Sequence, residues 1–134
     1  MRAAVETAAG VVIVDLESEE VELADEVAVE RANVEVGLPL VVSADSSGSL
    51  VVAVVSRRPP LVISRDSGVT WNEAGHGLPP GRAVTISPDH PDIILFASES
   101  RLYLSQDGGR FWQPLTVELD EISVVAWVAE EDLG

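Results

Sequence analysis

The chain has no cysteine and no lysine, and only six aromatic residues among 134. Without cysteine there are no disulfides and no thiolate metal ligands, and composition carries no mark of a redox compartment. Without lysine, all eight basic side chains are arginines; against 23 acids they leave a formal charge of −15. A surface of that sign repels phosphate backbones, which disfavours nucleic acid as a partner. No apolar run approaches the roughly 20 residues of a membrane-spanning helix, so no membrane partner is expected. The N-terminus sets Glu6 before Val11-Val12-Ile13-Val14 and lacks the basic start and long apolar centre of a signal peptide. A cytoplasmic location is the expectation, with secretion left open.

What remains is rich in valine. Hydrophobic residues make up 46% of the chain, enough for a core and too many for general disorder. Val-rich runs broken by Gly, Pro, Ser and Asp predict strands and turns, hence an all-β domain spanning 1–134. The charge is unevenly placed. Residues 1–35 carry ten acids and two arginines, 118–132 carry six acids and no base, and 56–111 balance six of each.

The chain repeats itself. Ser64-Arg65-Asp66-Ser67-Gly68-Val69-Thr70-Trp71 returns 41 residues later as Ser105-Gln106-Asp107-Gly108-Gly109-Arg110-Phe111-Trp112. A pattern recurring at about 40 residues marks a repeat architecture. Gly37-Leu38-Pro39 likewise recurs as Gly77-Leu78-Pro79, and Ser43/Ser87 and Asp45/Asp89 align at a shift of 44. Each copy predicts four short strands: inner (40–44, 83–87), second (50–55, 93–97), third (61–64, 101–105) and outer (71–74, 112–116). Four antiparallel strands per repeat is the pattern of a β-propeller blade.

The flanks supply parts of one more blade. Residues 3–16 predict a hairpin turning at Thr7-Ala8-Ala9-Gly10, with Gly10 free to take positive φ. Val21 and Leu23 alternate with Glu20 and Glu22, as in a half-buried strand. Residues 25–36 are ambiguous, and β-branching favours strand over helix. Residues 122–129 read as an inner strand. Ala3–Leu16 align to Ile94–Asp107 at a shift of 91, so the chain starts on a second strand; a rival register makes Met1–Val5 an inner one. Blade 1 is then split between 1–36 and 120–130, blade 2 spans about 37–76 and blade 3 about 77–117.

The segment Trp71–Leu115, above all Tyr103-Leu104-Ser105-Gln106-Asp107-Gly108-Gly109-Arg110-Phe111-Trp112, resembles the Asp-box (BNR) repeats of sialidase, sortilin and xyloglucanase-like propellers. The likeness is strongest over 61–115. It implies that Ser64, Asp66, Gly68 and Trp71, with Ser105, Asp107, Gly109 and Trp112, fasten a turn rather than catalyse. Three blades are fewer than the roughly four to eight of closed propellers. Two chains joining as a homodimer with a six-bladed ring is therefore the expectation.

Chemistry is sparse. By the resemblance, sialidase activity needs an arginine cluster, an activated tyrosine and an acid; the only tyrosine, Tyr103, lies inside a strand, and no Arg-Ile-Pro segment is present. Asp45 and Asp89 are the only nominees for a glycosidase pair, and they also suit turns. Asp89-His90-Asp92 could ligate a metal, though a solvated turn is the simpler reading; His76 sits in a loop. No cofactor and no metal site is predicted. Arg57-Arg58-Pro59-Pro60 is the most distinctive basic spot and a candidate partner contact. The expectation is a non-enzymatic binding or assembly scaffold for a protein or carbohydrate ligand. The alternative is a carbohydrate-active propeller module, either a glycosidase or a lectin.

Overall fold

The first hairpin shows how short turns organise this chain. In a computed structural model, β1 (Arg2–Thr7) and β2 (Gly10–Asp15) pair from Arg2↔Asp15 to Thr7↔Gly10. Gly10 takes φ +119° at the turn, and Thr7 Oγ1 donates to the Gly10 carbonyl at 2.7 Å. The structure describes residues 1–24, 27–30 and 34–128. Strands β3 (Val21–Leu23), β4 (Val41–Ser47), β5 (Leu50–Val55), β6 (Leu61–Ser64) and β7 (Asn72–Ala74) follow. Then come β8 (Ala83–Ile86), β9 (Ile94–Ala97), β10 (Leu102–Ser105), β11 (Gln113–Pro114) and β12 (Val124–Val128). No helix occurs among the described residues, and none is long and apolar enough to cross a membrane.

The twelve strands form three four-stranded antiparallel sheets, so the protein is all-β. Sheet 1 runs β12-β1-β2-β3, sheet 2 runs β4-β5-β6-β7 and sheet 3 runs β8-β9-β10-β11. In sheets 2 and 3 the strands are ordered as the chain runs. In sheet 1 the last strand among the described residues pairs with the first, Val5↔Val125 and Arg2↔Val128. Residues 1–5 thus lie second in their sheet.

Sheet 3 is the middle layer. Val52, Val54, Leu61 and Ile63 of sheet 2 pack against Val84, Ile86, Ile94 and Phe96 of sheet 3. Ala3, Val5, Val12 and Val14 of sheet 1 pack with Leu95, Ala97 and Leu102 of sheet 3. The alternation of each strand places one set of valines or leucines in each interface. Inner strands link the layers: Asp45 Oδ2 accepts from Ile86 N at 2.7 Å and from Thr85 Oγ1 at 3.2 Å. Trp127 Nε1 donates to the Thr85 carbonyl at 3.3 Å.

Two expected strands differ. Residues 27–30 and 34–36 form none; the rest of the predicted 25–36 strand lies outside the described residues. Val34, Val36 and Leu38 instead pack irregularly over Ala44, Ala53, Val55 and Val62, covering the outer flank of sheet 2. β3 is a strand but not a half-buried one: Val21 and Leu23 are 38% and 74% exposed. Among the described residues no strand pairs with the outer edge of β3.

Candidate functional site

The two Ser-x-Asp turns connect third to fourth strands, β6 to β7 and β10 to β11, with the same wiring. In the first, Ser64 Oγ donates to Asp66 Oδ1 at 2.8 Å and accepts from Gly68 N at 2.7 Å. Asp66 accepts from Thr70 N at 2.8 Å and from the Thr70 hydroxyl. In the second, Ser105 Oγ donates to Asp107 Oδ1 at 2.9 Å and accepts from Gly109 N at 2.8 Å. Asp107 accepts from Arg110 N at 3.1 Å and Phe111 N at 3.0 Å. Each tryptophan closes its turn: Trp71 Nε1 donates to the Gly68 carbonyl and Trp112 Nε1 to that of Gly109, both at 3.1 Å.

The backbone explains the glycines. Gly68 and Gly109 hold φ +90° and +92°, values that a side chain disfavours. The preceding positive-φ position is filled by Ser67 in one turn and Gly108 in the other.

Hydrogen bonding to the charged form holds both aspartates ionised. Asp66 is pushed down to about 2, first by the Thr70 hydroxyl, then by Thr70 N and the Ser64 hydroxyl. Asp107 is lowered chiefly by Phe111 N, with Ser105 and Arg110 assisting. Carboxylates committed to their own turn are fixed acceptors, poorly suited to carry protons.

The turns also frame a groove. A cleft of about 830 Å³ opens between β7 and β11, lined by Arg65, Tyr103, Arg110, Phe111 and Trp112, with Glu73 its one acid. Through His76, Gly77, Leu78 and Tyr103 it meets a second hollow of about 560 Å³, bordered by Arg58, Pro59, Pro79 and Pro80. Phe96 anchors the floor, edge-on to Tyr103 at 5.8 Å and Trp112 at 6.1 Å. Arg65 spans the cleft and donates to the Gly108 carbonyl at 3.0 Å, joining one turn to the other. Phe111 stands at the rim, 79% exposed.

The remaining candidates separate. Arg58 borders the groove, whereas Arg57 is exposed in the preceding loop and does not line it. Asp45 ties β4 to β8, while Asp89 sits exposed in a turn. Among the described residues no three His, Asp or Glu are grouped as a metal would require, Asp89, His90 and Asp92 included.

Sequence reasoning missed two carboxylates that do comparable work in sheet 1. Asp15 Oδ1 accepts from Glu17 N at 3.0 Å and Ser18 N at 3.1 Å in the β2–β3 turn, and these bonds, Ser18 first, lower its pKa. Glu19 Oε1 reaches the segment after β11 and accepts from Thr116 N at 2.6 Å, Thr116 Oγ1 at 3.0 Å and Val117 N at 3.0 Å. Its pKa is lowered, chiefly by Val117 N. Neither residue falls in a Ser-x-Asp pattern, so repetition gave no signal for them.

Fold and site together define an all-β protein of three stacked sheets with a cation- and aromatic-lined groove between two of them. No family model matches the chain, and a search of curated proteins finds no relative.

Proposed function

We propose that this chain is a non-enzymatic binding module built on Asp-box β-propeller repeats, with the groove between β7 and β11 as its working surface. One observation carries the reading: three arginines and a cluster of aromatics converge against a single acid in a chain whose formal charge is −15. Concave sites that join apolar walls to a few directed polar groups are the usual form of a ligand site. The turns support the Asp-box assignment because both repeat one hydrogen-bond scheme down to the indole. Each sheet then corresponds to a blade, the first completed by β12.

Self-association belongs to the proposal, but the outer flanks offer a six-bladed ring little to close on. The flank of sheet 2 is covered by Val34, Val36 and Leu38. That of sheet 1 carries Arg2 3.7 Å from Asp15, with Glu22 beside them.

The alternative is a carbohydrate-binding module, favoured by the aromatic wall of Tyr103, Trp112 and Phe111. Tryptophan fluorescence titrations separate the two. Adding an acidic peptide is expected to change the emission, and Phe111→Ala with Arg110→Ala to weaken that response about tenfold. A response to a neutral oligosaccharide alone transfers the site to the carbohydrate reading; a response to neither rejects the groove.

A further inference from the structure

We propose that the groove takes the acidic edge strand β3 of a second copy of this chain. The inference rests on the groove being the working surface and adds its occupant.

Charge is the first reason. Arg58, Arg65 and Arg110 line the groove against Glu73, and Arg58 and Arg110 make no ion pair among the described residues. The β3 edge presents the opposite sign. Glu20 and Glu22 are exposed and likewise make no ion pair among the described residues. Facing fields of opposite sign select orientation and speed encounter.

Shape and exposure are the second reason. Glu22 stands between Val21 and Leu23 on β3, the last strand of its sheet, and Glu20 directly precedes it. Leu23 is 74% exposed there, and an exposed apolar edge is a template for pairing with another chain. Arginines line the groove beside Tyr103, Trp112 and Phe111, and it runs between β7 and β11, both edge strands. Within the monomer Leu23 stands clear of the core that buries Val12 and Val14; in a second copy's groove it gains an apolar floor. A two-fold pair would use each edge and each groove once, closing the assembly.

Charge exchange tests this on the full-length chain by sedimentation velocity, with circular dichroism confirming that every variant stays folded. Wild type is expected to dimerise at low salt and dissociate as salt rises. Arg58→Glu with Arg110→Glu is expected to weaken the dimer about tenfold or more, as is Glu20→Arg with Glu22→Arg. An equimolar mixture of the two double variants restores both contacts and sediments as a dimer. A wild type that stays monomeric at low salt, or a mixture no more associated than its parts, overturns the proposal. A synthetic peptide of residues 15–24 separates the two failures. If it perturbs Trp112 in a monomeric protein, the groove stands as a binding site and only self-association falls; if it does not, both fall.

Discussion

At the scale of single residues, two nearly identical turns should respond differently to the same substitution. Alanine at 68 meets only Trp71, at 3.6 Å. Its cost is the backbone strain of positive φ, about 1–2 kcal/mol. Alanine at 109 would also set its Cβ 2.6 Å from Ile63 Cδ1, across the interface with sheet 2. Gly109→Ala is expected to cost about 2–4 kcal/mol, since steric overlap adds to strain. Denaturant unfolding of both variants compares them directly; equal losses would contradict the packing account. Ser105→Ala removes the acceptor of the buried Gly109 N–H and should cost about 1–3 kcal/mol.

Acid dependence also belongs to residues. Asp66, Asp107, Asp15 and Glu19 all have lowered pKa values in the folded chain. The unfolded chain therefore binds protons first as pH falls. Stability from Asp66 is full above its ordinary value of 3.8 and is lost as pH falls through about 2. Melting temperature should drop steeply across that window, and Asp66→Asn should flatten the drop. An unchanged acid profile in that variant would show that the turn does not depend on the charge.

At the scale of elements, side chains act as ties between sheets. Asp45→Ala strips acceptors from Ile86 N and Thr85 Oγ1 and should cost about 1–3 kcal/mol. Glu19→Gln keeps an oxygen for Thr116 and Val117 but removes the charge, so it should lower the melting temperature at pH 7 and leave it nearly unchanged near pH 2. The strands of sheets 2 and 3 were legible in the sequence because each copy interprets the other: Leu61-Val62-Ile63-Ser64 and Leu102-Tyr103-Leu104-Ser105 end at matching turns. The 25–36 region lacked a second copy. Its β-branched residues suited a strand, but Val34 and Val36 serve as irregular cover for sheet 2, a role set by a neighbour that local pattern does not reveal. The recurring Ser-x-Asp motif marked the two places where Ser64 bonds Asp66 and Ser105 bonds Asp107. The groove was not legible in this way, since Arg58, Arg65, Tyr103 and Arg110 come from separate strands and loops that meet only when sheets 2 and 3 pack.

At the scale of the whole molecule, sheet 1 is closed by pairing the last described strand with the first. β12 pairs with β1 from Arg2↔Val128 to Glu6↔Val124, and Ile122 beside it is fully buried in the core shared by sheets 1 and 3. Truncation after Asp120 should therefore unfold sheet 1 first, seen as early loss of amide protection in residues 2–15 while 94–105 remain protected. The same closure leaves the acidic edge and the basic groove as the features that give the surface a direction.

The three indoles report on the groove most directly. Trp112 lines it, Trp71 packs on the outer flank of sheet 2, and Trp127 lies between inner strands. Two-dimensional ¹⁵N NMR of the full chain, titrated with the acidic peptide of residues 15–24, resolves all three N–H signals. The account predicts that the Trp112 signal shifts in a saturable, salt-sensitive way while Trp71 and Trp127 stay in place. A fixed Trp112, or a shift confined to Trp71 or Trp127, would contradict it.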